Sequence, residues 1–159
     1  LCAFLGVDTV MTRDTEEITY PSEAKTIAAM KKWDTRRRVE IAESVDSPVF
    51  LSIHQNIYPS SGPHGSQVLY AQNEPSRALA ELIQSRLTAA LLPENRRVPV
   101  PAGKDIYIMS HVQCTAVLVE CGFLSHPQEL SLLQSADYQK KIASVLTACY
   151  LQFTEKGVL

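Results

Sequence analysis

The sequence predicts an α/β domain of three layers, in which helices cover both faces of a mostly parallel, twisted sheet. Short apolar runs typical of buried strands alternate along the chain with longer segments whose apolar residues recur at helical spacing. The length of 159 residues and the apolar content of 45% suit a single domain with one packed core.

The charge pattern argues against several classes of protein. The formal net charge is −2, from 15 basic and 17 acidic residues, and charged residues make up 20% of the chain. This balance disfavours a disordered tail and a protein that holds nucleic acid on a broad basic surface. The basic run Arg36–Arg38 is followed by Glu40 and Glu43, which is typical of a solvated helix surface. No apolar run approaches the ~20 residues that a membrane-spanning helix needs.

The four cysteines form neither a disulfide scaffold nor a zinc-finger pattern. They are Cys2, Cys114, Cys121 and Cys149, widely spaced and without a CxxC pair. Because Cys121 and Cys149 stand in apolar stretches, we expect them to be small core residues.

The first half of the chain predicts two helical segments and two strands. Leu1–Gly6 resembles the last turn of a helix with its glycine C-cap, so we expect the chain to begin partway into a fold. A short strand is predicted at Val7–Thr12, and a long helix from Pro21 to about Val45. Val49–His54 is nearly all apolar, which predicts a strand covered on both faces.

The second half continues the alternation after a loop rich in Ser, Pro and Gly at 59–65. The predicted elements are a strand at Gln67–Tyr70, a helix from Pro75 to Pro93, strands at Asp105–Met109 and Ala116–Val119, and a helix from about Asp137 to Phe153.

Two strands end in side chains that chemistry uses. His54 ends the apolar run from Val49, and Glu120 directly follows the run from Ala116. Ligands of open α/β sheets bind beyond the carboxyl ends of the strands, so both side chains would reach one crevice if the strands are neighbours. A neutral imidazole can bind a metal, and a desolvated Glu suits acid–base catalysis. Two alternatives stay open here: a hydrogen-bonded structural His and a Glu paired with a buried base.

The long predicted helix carries an ion pair on its apolar stripe. Asp34 and Arg38 are four residues apart, with the acid N-terminal, which favours their pairing. Facing the sheet, the pair would be partly buried. It is either a structural ion pair or a support for a site on the sheet beneath it.

Four segments together resemble zinc-dependent N-acetylmuramoyl-L-alanine amidases, most closely the sporulation and germination type. The resemblance covers about Val7 to Leu151. Its motifs are Val10-Met11-Thr12-Arg13-Asp14, Arg38-Val39-Glu40-Ile41-Ala42, Ser52-Ile53-His54-Gln55-Asn56 and Val117-Leu118-Val119-Glu120-Cys121-Gly122-Phe123-Leu124-Ser125.

The resemblance implies a peptidoglycan hydrolase that cuts the amide between N-acetylmuramic acid and the L-alanine of the stem peptide. It implies His54 as a zinc ligand and Glu120 as the catalytic residue. The family's other two ligands lie in a Gly-rich His block and in the helix after it, and this chain contains neither block. We therefore expect residues 1–159 to be one amidase catalytic domain without the family's first strand and helix. The implied location is extracytoplasmic, in the cell wall or spore cortex.

Smaller features carry further expectations. Asn56 would share a strand face with His54 and bind substrate if the strand stays extended, whereas the alternative is a turn-capping role. His126 replaces the Asn that the family usually has, and Thr115 replaces its Pro. His64, His111 and His126 are possible substitute metal ligands, although histidines in loops are usually solvent-exposed.

Three functional hypotheses remain at this point. The first is a zinc amidase of peptidoglycan; the second is a non-catalytic remnant that binds muramyl peptides; the third is another metallohydrolase on a similar scaffold. Because a catalytic zinc site typically has three protein ligands, we expect this chain alone to bind zinc weakly and to be inactive.

Overall fold

The computed structural model describes residues 1–155. Its helices are a short 3₁₀ helix at Ala3–Leu5 and five α-helices: α1 Ile27–Glu43, α2 Glu74–Leu91, α3 Tyr107–His111, α4 Pro127–Leu133 and α5 Ala136–Glu155. Its strands are β1 Val49–Asn56, β2 Gln67–Tyr70, β3 Val100–Pro101 and β4 Thr115–Phe123. No described helix has both the length and the apolar character that crossing a membrane requires.

The four strands form one mixed sheet in the order β1-β4-β2-β3. β1 runs parallel to β4, and β2 runs parallel to β3, whereas β2 and β4 are antiparallel. The predicted α/β class is confirmed, with helices on both faces and parallel pairing at two of the three strand contacts. β4 lies inside the sheet, and its residues are buried throughout except at Glu120, which is half-buried.

Each face of β4 packs against a different set of helices. Val117, Val119 and Cys121 belong to the larger core cluster, which α2 and α5 complete. Ala116 and Leu118 belong to the second cluster, which α1 and α3 complete. Because successive strand residues alternate between faces, Glu120 lies on the α1 side, two residues beyond Leu118.

Two helices follow their predicted signals closely. Asn73 caps α2 by accepting a hydrogen bond from the amide of Ser76, and Pro75 stands in its first turn. α5 begins one residue before the predicted start and buries Ile142, Leu146, Cys149 and Phe153 on one face. Cys121 and Cys149 are core residues as predicted, and burial raises the pKa of the two thiols to about 12 and about 11.

The prediction for the first 45 residues is partly wrong. Gly6 does cap a helical turn, in the left-handed conformation at φ 71°. Val7–Thr12 forms no strand, because no strand of the described sheet pairs with it, and Val10 is 61% exposed. α1 starts at Ile27 and not at Pro21, since the Thr26 hydroxyl accepts from the amide of Ala29 and so fixes the helix start.

Two strand predictions need correction. Asp105–Met109 is not a strand: the chain forms a turn and then α3, which buries Ile108 and Met109. β1 is a strand, but it is covered on one face only. It lies at the edge of the described sheet, with Leu51 37% and Ile53 56% exposed, while Ser52 on the opposite face is buried.

Candidate functional site

His54 and Glu120 lie opposite each other on adjacent strands. They are register partners in the parallel β1–β4 pair, and Gln67 of β2 is the partner of Glu120 on its other side. Register partners in a sheet project to the same face, so the imidazole and the carboxyl group share the face that α1 covers. The expectation that both residues reach one place is therefore met by the strand order.

Glu120 carries a carboxyl group that is poorly solvated. Burial raises its pKa above the ordinary value of 4.5. Its Oε2 atom is buried and has no hydrogen-bond partner, and no described basic residue forms an ion pair with it. The alternative of a Glu neutralised by a buried base is thus not what the structure shows. A carboxyl group in this setting holds a proton more readily than a solvated one, which suits acid–base chemistry.

The imidazole of His54 contacts a hydroxyl group of its own strand. Its Nε2 lies 2.9 Å from the hydroxyl oxygen of Ser52, two residues earlier on the same face. Burial, and next the positive charge of Arg38, lower its pKa from 6.5. A lowered pKa keeps the imidazole neutral, which is the form that binds a metal.

The ion pair predicted on α1 is present beside this site. Arg38 Nη2 lies 2.9 Å from Asp34 Oδ2, and the two side chains are 22% and 21% exposed. Arg38 is near enough to His54 for its charge to act on the imidazole, whereas its Nε atom is buried without a hydrogen-bond partner. The pair is partly buried, as a structural ion pair would be, and it also lies next to the site, as a pair that supports the site would.

The prediction that Asn56 shares a strand face with His54 requires a regular strand, and β1 is irregular between the two residues. The register with β4 shifts between His54 and Asn56, where Asn56 pairs with Phe123, so the strand is irregular at this point. The side-chain oxygen of Asn56 accepts a 2.8 Å hydrogen bond from the amide of Ile57. The turn-capping role is therefore observed, and substrate binding by Asn56 stays a prediction.

A buried carboxylate that the sequence reasoning missed holds the rim of the site together. Glu129 of α4 accepts from the amide of Gly65 through Oε1 and from the amide of Phe123 through Oε2, each at 2.8 Å. It therefore joins the β1–β2 loop to the carboxyl end of β4. A Cβ added at Gly122 would lie 3.3 Å from this carboxylate, which leaves little space for a side chain there. His126-Pro127 followed by Glu129 is a helix-start signal that could have indicated α4.

The three remaining histidines have local hydrogen bonds. His126 caps α4, its Nδ1 accepting from the amide of Glu129 at 3.4 Å, and its ring centroid lies 5.3 Å from that of His64. Nδ1 of His64 lies 3.0 Å from the carbonyl of Gly62. His111 stacks on Tyr107 with ring centroids 3.7 Å apart. None of the three is the register partner of His54 in the β1–β4 pair.

The described residues supply only part of a zinc site. Within residues 1–155 there is no group of three His, Cys, Asp or Glu side chains placed to hold a metal. The neutral imidazole of His54 fits one ligand position, and the buried, unpaired oxygen of Glu120 fits a group that contacts a polar reactant beside it. This donor set falls short of the three protein ligands of a catalytic zinc.

Comparison with known proteins gives a family for nearly the whole chain. The family model described as N-acetylmuramoyl-L-alanine amidase matches residues 4–149. The germination-specific N-acetylmuramoyl-L-alanine amidase of Bacillus subtilis is 35% identical over 157 residues, which cover 96% of this chain and 64% of that protein. The amidase LytC of the same organism is 35% identical over 117 residues, covering 72% of this chain and 23% of that protein. The chain thus spans about two thirds or less of these relatives' length.

Solved structures show the same fold. The CwlD amidase from Clostridioides difficile, solved in complex with the GerS lipoprotein, superposes with a TM-score of 0.89 at 29% identity and covers 96% of this chain and 78% of that one. The amidase AmiC2 of Nostoc punctiforme gives a TM-score of 0.78 at 25% identity, over 97% of this chain and 76% of that one.

Proposed function

Because the chain belongs to the N-acetylmuramoyl-L-alanine amidase family, we propose that the protein carrying it hydrolyses the amide between N-acetylmuramic acid and the L-alanine of the peptidoglycan stem peptide. The observation that supports this most directly is the pairing of His54 with Glu120 on adjacent strands, with the carboxyl oxygen of Glu120 buried and unpaired. Amide hydrolysis needs a positioned water and a group that takes and returns a proton, and Glu120 provides the latter.

Glu120 acts as the acid–base residue in this proposal. Its carboxylate takes a proton from the water whose oxygen adds to the amide carbon. The same proton then passes to the alanine nitrogen as the C–N bond breaks, so that the products are a carboxylic acid and an amine. A positioned general acid–base group contributes on the order of 10²–10⁴ in rate. The raised pKa of Glu120 helps the return of the proton, because the protonated form is stabilised by burial.

His54 is proposed as one ligand of the zinc ion on which such amidases depend. Bound zinc would lower the pKa of a water from about 15.7 to about 7 and polarise the amide carbonyl. His54 suits this role because its imidazole is kept neutral, and the 2.9 Å contact between Nε2 and the Ser52 hydroxyl orients the ring. The other two ligands would come from segments that this chain does not contain. We therefore propose that residues 1–159 alone bind zinc weakly and do not turn over substrate.

Asn56 is the proposed contact for substrate beyond the reacting amide. Its side-chain oxygen is engaged with Ile57, but its amide nitrogen has no hydrogen bond to a described residue, so it can donate to an oxygen of the muramyl peptide. The expected place of action is outside the cytoplasm, in the cell wall or the spore cortex. The similarity to a germination-specific amidase of Bacillus subtilis supports a role in germination.

The proposal is tested on the full-length protein with a soluble muramyl peptide, by following release of the L-alanine amine. We expect Glu120→Gln to keep zinc and to lose activity by about 10²–10⁴, because Gln cannot exchange a proton. His54→Ala should lose zinc and activity together. Gln55→Ala is a matched control, since Gln55 is exposed on the same strand. Full activity of Glu120→Gln would remove Glu120 from the mechanism.

A muramyl-peptide-binding remnant is the alternative function. The observation that favours it is the incomplete donor set of the described residues. Binding of the muramyl peptide by the full-length protein without any amine release, at saturating zinc, would establish the alternative and overturn the proposed hydrolysis.

A further inference from the structure

Two buried side-chain polar atoms in residues 1–155 have no hydrogen-bond partner, and both belong to the candidate site. They are Nε of Arg38, which is a donor, and Oε2 of Glu120, which is an acceptor when ionised. The rest of the described interior satisfies its side-chain polar atoms, as native proteins generally do. Because a buried unpaired polar group costs free energy, a donor and an acceptor left unpaired in one site indicate a ligand that contacts both.

The fold brings Arg38 over the strand face that carries His54 and Glu120. At the C-terminal end of α1, Glu43 accepts a 2.9 Å hydrogen bond from the amide of Gln113, just before β4 begins. α1 is therefore antiparallel to β4, and its N-terminal part lies towards the carboxyl end of β4. Val39 and Ala42 of α1 pack in the cluster that contains Leu118, and the side chain of Arg38 leans further towards the N-terminus of the helix. The N-terminal direction of α1 corresponds to the carboxyl end of β4, where Glu120 follows Leu118.

The charge around Arg38 selects the kind of atom that its free donor would meet. Asp34 already binds Nη2 at 2.9 Å and offsets part of the positive charge of the guanidinium. The pair therefore offers one N–H near His54, on the face of the sheet that α1 covers. A second carboxylate would be repelled there and would find no two-pronged partner. A single neutral oxygen, such as an amide carbonyl, fits this donor.

We propose that Arg38 is a further catalytic residue, whose Nε–H donates a hydrogen bond to the carbonyl oxygen of the amide that is cleaved. This assignment rests on the proposed function. As the water oxygen adds to the carbonyl carbon, the electron pair of the C=O double bond moves onto the carbonyl oxygen, and the hydrogen bond from Arg38 to the carbonyl oxygen strengthens. When the C–N bond breaks, the pair returns to form the double bond, and the leaving nitrogen receives the proton that Glu120 carries. Asp34 holds the guanidinium in the orientation that this contact needs.

The kinetic test compares Arg38→Lys and Arg38→Gln with Arg37→Gln in the zinc-loaded, full-length protein. Lys keeps the charge that Asp34 pairs with but lacks the Nε–H donor, so both Arg38 variants should lower kcat by about 10²-fold with little change in KM. Arg37 is the matched control, because it is adjacent, exposed and paired only with exposed Glu40. Zinc content should equal that of the wild type in all three variants, and Tm should do so in Arg38→Lys and Arg37→Gln, whereas Arg38→Gln leaves Asp34 without its partner and should have a lower Tm.

A second measurement needs no turnover. In the Glu120→Gln background, the ¹H–¹⁵N resonance of Arg38 Nε should move downfield when the uncleaved muramyl peptide is added. An unchanged resonance, full kcat in Arg38→Lys, or a loss of zinc and Tm in both Arg38 variants would overturn the assignment while leaving the proposed hydrolysis intact. If the wild type releases no amine from muramyl peptides, the proposed function itself fails and this assignment fails with it.

Discussion

Replacing Glu129 should destabilise the domain more than any exposed acidic substitution. The carboxylate accepts two 2.8 Å hydrogen bonds, from the amides of Gly65 and Phe123, and all three residues are buried. In Glu129→Ala both amides lose their acceptor. A hydrogen bond to a charged group contributes about 1.5–3 kcal/mol, so the free energy of unfolding should fall by about 3–6 kcal/mol.

This loss is a large fraction of the ~5–15 kcal/mol that stabilises a typical domain. It should lower Tm by at least about 6 °C for a chain of this size. Urea unfolding measures the free energy, and amide hydrogen exchange locates the effect, because exchange at Gly65 and Phe123 should accelerate more than elsewhere. Glu129→Gln keeps one acceptor oxygen and should cost roughly half as much.

Glu81→Ala is the control, since Glu81 is exposed and pairs only with exposed Arg77. The reasoning is refuted if Glu129→Ala costs less than about 1 kcal/mol. It is equally refuted if exchange at the two amides is unchanged, because the carboxylate would then not be what holds them.

Two further predictions concern buried polar groups. Burial raises the pKa of Glu120, so the contribution of this carboxyl group to stability is fully present below pH 4.5 and is lost as pH rises through the folded-state pKa. Glu120→Gln should therefore be more stable than the wild type at pH 8 but not at pH 4, which thermal unfolding at the two pH values measures. Equal Tm values of the two proteins at pH 8 would contradict this prediction. Ser76→Ala should cost about 1–3 kcal/mol in urea unfolding, since the fully buried Ser76 hydroxyl accepts from the amide of Ala116 at 2.8 Å; Ser144→Ala, on an exposed helix surface, is its control.

The elements that the sequence predicted well are those with strong local signals. α2 has an Asn cap, a Pro in the first turn and a Pro beyond its end, and all three act locally. Asp105–Met109 has no such signal, and a short apolar run does not distinguish a strand from a buried helical turn. The structure resolves it as α3, because Ile108 and Met109 then reach the core of the α1 side together.

The environment of β1 could not be predicted because it depends on non-local pairing. The apolar run Val49–Ile53 predicts a strand but does not state how many neighbours the strand has. In the described sheet β4 covers one edge of β1, and the other edge has no partner. The exposed Ile53 follows from the strand order and not from the local pattern.

The candidate site could be predicted only in part, because some of its contacts depend on non-local pairing. His54 and Glu120 follow from strand ends in an α/β sheet, and the strand order then confirms that they are neighbours. Glu129 was missed because its function depends on two backbone amides that come from distant parts of the chain, at Gly65 and Phe123. The free Nε of Arg38 is likewise visible only once the hydrogen bonds of the folded chain are known.

The carboxylate of Glu129 fixes the end of the β1–β2 loop at Gly65, whereas the earlier part of this loop can vary in sequence. Residues 57–62, before the anchored Gly65, are exposed and carry no side chain of the core. Insertions or substitutions there alter an exposed surface next to the candidate site, while the loop still returns to the same anchor. Sequence changes in this loop can therefore alter that surface without moving His54 or Glu120, as long as the acid at 129 and the small residues at 65 and 122 persist.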